Sequence, residues 1–471
     1  MTKMTGKTWL LASLTLAVSA SARPATGQER SLCWGDTHVH TSYSSDAYGQ
    51  GNVNADPETA YRFARGLPVV HPGLGSRVRL DRPLDFLVVA DHSPVGRGAP
   101  VDGDRSTREF QEAAWSLYVD AAERNNDPGT FTALIGWEWT FMPGGRMLHR
   151  VVFTPADAET AKEFLPLSSA GASGPEDLWS WLEQTSDRLG IDFVAIPHNS
   201  NLSNGLMFDM VDSEGRPISA EYARTRMRWE PLVEVLQIKG TSETHPFLSP
   251  EDEFADFELF SFLFRGVIPV PDPADYVRTA LLRGLQFEEE VGVNPYKLGI
   301  QGATDTHTTL SDTDEDLFAG WLGARSGPAN GLATLPGFGA AVGWNSAAQG
   351  ITGAWSTANT REALTAAFKR KEVYATSGPR MQLRMFGGFE FEAGDGDARD
   401  IAAVGYGGGV PMGGDLAQAP NGAPVSLLIR AVKDPVGANL DRVQVIKGWL
   451  DDDGETHERV YDVAWAGQRT A

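Results

Sequence analysis

The chain has 471 residues, of which 41% are hydrophobic, enough for one large domain or two ordinary domains with a sizeable core. Its formal net charge of -22 argues against nucleic acid or an anionic membrane surface as a partner, because both attract lysine and arginine. A small anionic substrate would therefore need a locally positive site, and bound cations would supply one.

Residues 1–22 have the three parts of an export signal. Lys3 and Lys7 precede an apolar run from Trp9 to Val18, and the small residues up to Ala22 form a cleavage site. The apolar run is too short to span a bilayer. We predict a signal peptide that is removed, and a periplasmic or secreted protein without integral membrane association. The alternative is an uncleaved anchor or a disordered N-terminus.

Short apolar runs alternate with helical patterns between residues 30 and 380. The runs lack strict alternation, which is typical of strands buried on both faces of a parallel sheet. They span residues 85–92, 131–140, 149–154, 192–200, 231–240 and 297–307. The helical patterns span residues 56–67, 107–125, 174–189, 274–290 and 359–372, the last with Asn359 and Glu362 in a capping-box pattern. Repeated strand–helix units predict an α/β barrel or an open parallel sheet.

Two later regions have a different texture. Residues 308–358 are rich in Gly, Ala, Ser and Asp without clear periodicity, which predicts a long surface insertion. Residues 381–471 contain a Gly-rich stretch and strand-like runs but no helical pattern, which predicts a small β-rich domain. The chain stops soon after the strand-like run "RVYDVAWAG", which indicates that this domain is cut short.

Histidines and carboxylates mark the ends of the predicted strands. In "WGDTHVHTSYSSDA" the strand period of two turns His38 and His40 to the same side, and Asp305 and His307 repeat this spacing. The other members of the set are Asp46, His92, Glu138, His149 and His198. Each has an ordinary explanation when taken alone: core packing, a turn or a salt bridge. Six of the nine histidines fall in the set, however, and burying so many ionisable groups would be unfavourable without a metal.

The order of these motifs resembles the PHP superfamily, named for polymerase and histidinol phosphatase, over residues 33–385. Five segments are similar to those of an uncharacterised bacterial branch of this superfamily, a domain of unknown function. They are "GDTHVHTSYSSDA", "HRVVF", "IPHNSNLSNG", "QIKGTSE" and "VYATSGPR". The resemblance implies a distorted (β/α)7 TIM-like barrel over residues 30–380, followed by the β-rich appendage. It also implies two or three divalent metal ions (Zn, Mn or Fe) and, as in most known members, hydrolysis of phosphate esters.

The resemblance also implies which residues hold each metal. One metal would be bound by His38, His40, Glu138 and Asp305. Glu138 would bridge to a second metal, bound also by His149 and His198, although His149 could contact substrate instead. A third would be bound by Asp46, His92 and His307. Asp46 stands where other members have histidine, which favours manganese or iron over zinc there.

The amidohydrolase barrel is the nearest rival family, since it also begins with His-x-His and ends with an aspartate. Asp91-His92, the bridging Glu138 and the final Asp305-x-His307 favour the PHP superfamily. No lysine is clearly placed at a central strand end, where the rival family needs a carbamate.

The sequence therefore predicts an exported metal-dependent phosphoesterase that hydrolyses phosphate mono- or diesters with a hydroxide bridging the metals. Lys239 and Arg380 would bind the anionic substrate or are surface charges. Asp91 would orient a metal ligand or protonate the leaving group. Two alternatives stay open: a hydrolase of the same architecture acting on a sulfate ester, carboxylic ester or amide, and a metal-stabilised binding protein without turnover.

Overall fold

The computed structural model describes residues 29–264, 270–314, 337–338, 341–347 and 349–467. The predicted signal peptide and residues 315–336 of the predicted insertion lie outside the described residues. Within the described part of the chain, no helix has the length and apolar character needed to cross a membrane.

Strands and helices follow one another along most of the described chain. The strands are β1 Ser31–Val39, β2 Val69–Val70, β3 Arg77–Val78, β4 Phe86–Val89, β5 Thr132–Trp139, β6 Arg150–Thr154, β7 Val194–Pro197, β8 Leu232–Gln237, β9 Gly240–Thr241, β10 Gly299–Gly302, β11 Ile351–Ser356, β12 Val373–Thr376, β13 Gln382–Gly388, β14 Gly409–Pro411, β15 Ser426–Val432, β16 Arg442–Leu450 and β17 Thr456–Trp465. The helices are α1 Ser45–Gly49, α2 Pro57–Ala64, α3 Arg108–Asn125, α4 Ala158–Ala161, α5 Pro175–Leu189, α6 Ala220–Trp229, α7 Val277–Val291, α8 Arg361–Lys369 and α9 Ile401–Gly408.

Seven strands form a curled mixed sheet in the order β12-β11-β1-β4-β5-β6-β7. Strands β1, β4 and β5 run parallel. The expectation of a parallel sheet is wrong at both edges, where β11, β12, β6 and β7 each pair antiparallel with their neighbours. Between β5 and β6 the reason is the connection, because a segment this short has no room for the helical crossover that parallel strands require.

A second sheet has the strand order β10-β8-β9. Strands β8 and β10 run parallel. The segment after β10 is bonded to β1, since the N–H of Asp305 donates to the carbonyl of His38 and the N–H of His40 donates to the carbonyl of Thr306, both at 2.9 Å. The chain is thus a mixed α/β protein in which the ends of β1 and β10 meet.

The predicted insertion contains a strand of the main sheet. Strand β11, which lies inside residues 308–358, is mostly buried and pairs with β1. The small residues of β11 made this strand hard to recognise from the sequence. At Gly353 a small residue is required, because a Cβ there would lie 2.7 Å from the ring of Tyr374. The insertion therefore ends before Ile351.

The region after β12 contains a three-stranded sheet, β14-β13-β15, and the hairpin β16–β17. It also contains α9, which the sequence did not predict because the glycines of "IAAVGYGG" have low helix propensity. The hairpin contacts α7 through Arg278 and Glu458, whose side chains lie 3.3 Å apart.

The two faces of the main sheet pack against separate apolar layers. Trp137 and Trp139 are fully buried on one face, in a cluster that includes Trp115 and Trp179. Phe86, Leu134 and Phe368 belong to the cluster on the other face. Side chains alternate along β5, so Glu138 points away from the two tryptophans that flank it and towards the candidate site.

The N-cap of helix α8 lies one residue later than predicted. The side chain of Thr360, not of Asn359, accepts the N–H of Ala363. The amide of Asn359 instead donates to the carbonyl of Asp85 at 2.9 Å, which joins the start of α8 to the residue before β4.

Candidate metal centre

Two of the predicted ligands come from β1. His38 lies within β1, His40 directly follows it, and both imidazoles face the same two carboxylates. Their Nε2 atoms lie 3.6 and 3.3 Å from Oε2 of Glu138. They lie 3.5 and 3.1 Å from Oδ1 of Asp305. The His-x-His spacing therefore puts both histidines on one side, as the strand period requires.

Glu138 lies at the centre of the cluster. Its Oε2 also lies 2.9 Å from Nδ1 of His92. Its other oxygen, Oε1, lies 2.6 Å from Nδ1 of His149 and 3.0 Å from Nε2 of His198. Imidazoles thus surround both oxygens of one carboxylate, which is the arrangement that a ligand bridging two metals needs.

Asp46 brings two more histidines together. Its Oδ2 lies 2.9 Å from Nε2 of His92 and 2.6 Å from Nε2 of His307. The hydroxyl of Ser44 and the N–H of Ala47 donate to Oδ1 at 2.6 and 2.7 Å, which holds the carboxylate in place. The Asp46 side chain is 30% exposed, whereas that of Glu138 is 1% exposed, so this part of the centre is the more open one.

Five buried atoms of the predicted ligands lack a hydrogen-bond partner. Buried atoms of this kind are Nε2 of His38, Oε2 of Glu138, Nε2 of His149, Nδ1 of His198 and Oδ1 of Asp305. Leaving a buried polar atom unsatisfied is unfavourable by about 1–3 kcal/mol, so five in one place require an explanation. Among the described residues, five overlapping groups have ligand atoms within 4.8 Å of one another.

The separations within the set His38, His40, Glu138 and Asp305 fit coordination better than hydrogen bonding. Two ligand atoms about 2.1 Å from one ion are about 3 to 3.5 Å apart at octahedral or tetrahedral angles. The distances from His38 and His40 to Glu138 and Asp305 run from 3.1 to 3.6 Å. Imidazole nitrogens with carboxylate oxygens are also a donor set suited to Zn, Mn or Fe. The residues present therefore fit divalent metal ions.

The charges of the centre favour ionised carboxylates but do not leave every imidazole neutral. Burial opposes ionisation of Glu138, but His92 and His149 hold the pKa of its carboxyl well below the usual value. Burial likewise opposes ionisation of Asp305, and Lys239 reverses the effect on its pKa.

Ionised carboxylates and neutral imidazoles are the states required of metal ligands. Burial lowers the pKa of the His198 imidazole to about 3. Burial acts in the same direction on His38 and His92, but Asp305 holds the pKa of His38 and Asp46 holds the pKa of His92 well above the usual value. A metal ion would therefore displace a proton from each of them.

Several residues that hold the ligands in place were not predicted. Glu234, buried in β8, has both carboxylate oxygens within 3.3 Å of Nδ1 of His38. The hydroxyl of Thr140 lies 2.5 Å from Nδ1 of His92. Gln237 donates to Oδ2 of Asp305 at 2.7 Å. A glutamate inside the apolar run "PLVEVLQIKG" was the one sequence signal for this group.

Asp305 has a left-handed backbone. It lies beyond the end of β10, with φ of 52°, a conformation that non-glycine residues rarely adopt. The period-two argument that worked for His38 and His40 therefore does not apply to Asp305 and His307. Both nevertheless reach the centre, because the loop bonded to β1 carries them there. Uncommon backbone conformations of this kind cluster at functional sites.

The three candidate residues outside the ligand set have different surroundings. Nζ of Lys239 contacts Asp305, so Lys239 lies at the centre rather than on the surface, and its role in binding substrate stays a prediction. Asp91 is fully buried and accepts hydrogen bonds from the N–H and hydroxyl of Thr41, both at 2.5 Å. Burial raises the pKa of Asp91 to about 6. Asp91 thus orients the segment after His40, and it is not among the described residues that line the cavity, which argues against the role of proton donor.

Arg380 does not belong to the centre, and this prediction is wrong. Its guanidinium donates to the carbonyls of Arg82 and Pro83. It lines a different cavity together with Asp434, whose carboxylate also accepts from the Arg380 N–H at 2.6 Å. The loop after β12 turns toward these partners, so the guanidinium has a structural role.

A cavity of about 370 Å³ opens onto the centre, a size suited to a small-molecule ligand. Its described lining includes His40, Asp46, His92, Glu138, His149, Lys239 and Asp305. The fold and this histidine–carboxylate centre define a class of α/β protein with a candidate metal centre beside a small-molecule cavity.

The chain belongs to the family described as protein of unknown function DUF3604, whose profile matches residues 27–99 and 95–471. This match confirms the domain-of-unknown-function branch expected from the sequence. No curated protein matches the chain significantly.

Two solved structures resemble the chain weakly. One is a two-domain protein of Bacteroides vulgatus described as containing a predicted PHP-like metal-dependent phosphoesterase. It is 10% identical, with a TM-score of 0.34 over 74% of this chain and 65% of that chain. The other is a candidate metal-dependent phosphoesterase of Bifidobacterium adolescentis, 13% identical, with a TM-score of 0.24 over 59% of this chain and 88% of that chain. The chain thus spans about two thirds of the first protein, and similarities this weak transfer no activity.

Proposed function

We propose that this protein is an exported metal-dependent phosphoesterase that hydrolyses phosphate mono- or diesters, built on a distorted (β/α)7 barrel of the PHP type. The observation that carries the proposal is the convergence of six imidazoles and three carboxylates, five of whose atoms are buried without a hydrogen-bond partner. Such a centre is unfavourable for stability alone, because burying ionisable groups opposes folding.

Two or three metal ions would be held by overlapping sets of these residues. His38, His40, Glu138 and Asp305 form the first set. The second consists of Glu138, His149 and His198, and the third of Asp46, His92 and His307. Bound divalent ions would act as Lewis acids and lower the pKa of water from about 16 to about 7.

The protein's own residues would orient the ligands and the substrate. Glu234 accepts from Nδ1 of His38 and so directs Nε2 toward Glu138. Lys239 lines the cavity and places a positive charge beside Asp305, where an oxygen of an anionic substrate would bind. The low exposure of Glu138 and Asp305 keeps bulk water away from the centre and strengthens each charge interaction there.

A carboxylic ester or amide is the second candidate for the bond that is cleaved. Among the described residues that line the cavity, Lys239 is the one lysine or arginine, and it already contacts Asp305. A cavity with so few fixed cations also fits a neutral ester, whose transition state the metals alone would stabilise.

A substrate panel separates these functions. Purified protein loaded in turn with Mn, Zn and Fe is assayed with chromogenic phosphate monoesters, phosphate diesters, sulfate esters and carboxylic esters. We expect phosphate ester hydrolysis that is lost in His38→Ala. Hydrolysis confined to carboxylic esters would replace the first proposal by the second candidate. Metal binding without turnover of any ester would favour a binding protein.

Export is tested on the mature N-terminus. We expect the full chain, expressed with a periplasmic fraction collected, to yield a protein that begins near Arg23. A cytoplasmic protein that retains residues 1–22 would contradict export.

A further inference from the structure

The cavity at the metal centre has a continuous apolar wall. Four described side chains form it: Met142, Met147, Phe264 and Phe338. Met147 and Phe338 are buried in a small core cluster with Phe260, and Met142 and Phe264 are partly buried against that cluster. The wall is thus anchored in the protein interior on one side and faces the cavity on the other.

Close packing fixes the position of the aromatic part of the wall. The rings of Phe264 and Phe338 lie edge to face, with centroids 5.6 Å apart. Gly145 has φ of +87°, and a Cβ there would lie 2.8 Å from the carbonyl oxygen of Phe264. Gly337 has φ of +86°, and a Cβ there would overlap the Phe264 ring. Phe264 can therefore occupy its position only because residues 145 and 337 are glycines, which indicates that the wall has a defined shape.

Charge at the cavity disfavours a second anionic group on the ligand. Asp46, Glu138 and Asp305 line the cavity, and Lys239 is the one lysine or arginine among the described lining residues. The metals would neutralise the charge of one phosphate, but a further phosphate or carboxylate would meet no additional lysine or arginine among the lining residues that the structure describes. An uncharged apolar substituent would instead gain by covering the wall, at about 25 cal/mol per Å² of apolar surface removed from water.

We propose that the substrate carries an uncharged apolar group, preferably an aromatic ring, next to the phosphate, and that Met142, Met147, Phe264 and Phe338 bind this group. The substrate class is thus an aryl-substituted phosphate ester rather than a nucleotide or a sugar phosphate. The identity of the reaction rests on the proposed function, but the preference of the wall is a property of binding and is measured separately.

Two phosphonates that cannot be hydrolysed test the wall. Benzylphosphonate and methylphosphonate share the charged group and differ by one phenyl ring. Their dissociation constants are measured by calorimetry on the Mn-loaded protein, on Met142→Gln and on Phe264→Gln. Met210→Gln is the matched control, because Met210 is also partly buried but packs in a different cluster.

We expect benzylphosphonate to bind wild type and Met210→Gln at least about tenfold more tightly than methylphosphonate, the range found for small apolar groups in a fitted pocket. Met142→Gln or Phe264→Gln should reduce this ratio to about threefold or less, with methylphosphonate affinity unchanged, which also shows that the variant is folded. Equal affinities in wild type, or a ratio unaffected by either substitution, would overturn the proposal.

A turnover arm separates failure of the wall from failure of the proposed function. Benzyl phosphate and glycerol 3-phosphate both release primary alcohols, so their intrinsic reactivities are comparable. Preferential binding of benzylphosphonate without hydrolysis of either ester would support the wall and refute the phosphoesterase. Hydrolysis of both esters with equal kcat/KM, together with equal phosphonate affinities, would refute the wall and support the phosphoesterase.

Discussion

Oε1 of Glu138 lies 3.0 Å from Nε2 of His198, although the two residues are 60 positions apart in the sequence. Glu138 lies in β5 and His198 follows β7, with β6 between them in the sheet. Nδ1 of His198 is buried without a hydrogen-bond partner. A carboxylate and an imidazole are held together here by the sheet, at a place where each retains an unsatisfied atom.

Glu138→Gln should empty much of the centre. The amide keeps the size of the side chain but removes the charge between the imidazoles, so we expect at least one metal equivalent to be lost. Activity should fall by more than about 100-fold, since even partners behind a ligand affect metal sites by 10–100-fold. Elemental analysis gives the metal content, and Glu289→Gln, on the exposed face of α7, is the control. An unchanged metal load would contradict the bridging role.

Glu234→Gln should weaken metal binding without removing a ligand. Glu234 accepts from Nδ1 of His38, which directs Nε2 at the centre. We expect metal affinity to fall by about 10–100-fold, with partial recovery in Glu234→Asp. Competition with a chromogenic chelator measures the affinity. Wild-type affinity in Glu234→Gln would show that the contact is only structural.

Lys239→Met should lower activity, whereas Arg380→Met should lower stability. Lys239 lines the cavity, so its loss should lower kcat/KM by about 100-fold, the size seen when one stabilising donor is removed. Arg380 donates to the carbonyls of Arg82 and Pro83, so its loss should leave kcat/KM unchanged. It should lower the free energy of unfolding by about 1–3 kcal/mol. The reverse result would show that Arg380, and not Lys239, belongs to the site.

Asp275 should make the stability of the protein fall as the pH rises. Burial raises the pKa of Asp275 from 3.8 to about 6, and the carboxyl accepts from the hydroxyl of Ser203 and the N–H of Gly205. Between these two values the folded state binds a proton that the unfolded state has lost, so stability decreases with pH there.

Asp275→Asn removes this titration and keeps the acceptor oxygen. We expect the difference in unfolding free energy between the variant and wild type to move in favour of the variant by about 2 kcal/mol from pH 4 to pH 6.5. Urea unfolding at several pH values measures it, with Glu289→Gln as the control. A difference that does not change with pH would contradict the raised pKa of Asp275.

The sequence indicated the candidate ligands more clearly than the strand partners. His38, His40 and His198 stood out because a histidine at the end of a short apolar run is rare, and the structure brings them together. Strand direction was harder, because the same apolar pattern serves parallel and antiparallel neighbours. Strand β11 was missed because Gly353 and Ala354 lack the large side chains by which strands are recognised.

Residues that position the candidate ligands, or that have a structural role, are harder to recognise from the sequence. Glu234 lies in an apolar run, but nothing local shows that it faces His38, since the two residues are 196 positions apart. Arg380 has the opposite problem: it follows a strand end, as a substrate-binding arginine would, yet its loop turns to Arg82 and Pro83. Both depend on tertiary contacts that the pattern of one segment cannot determine.

The most direct test is an anomalous diffraction measurement on crystals grown with Mn and with Zn. We predict two or three peaks in the anomalous maps, each within about 2.3 Å of nitrogen or oxygen atoms of His38, His40, Asp46, His92, Glu138, His149, His198, Asp305 and His307. At least two of these peaks should lie on opposite sides of the Glu138 carboxylate. Maps without a peak among these side chains, at metal concentrations that saturate binding in solution, would contradict the account.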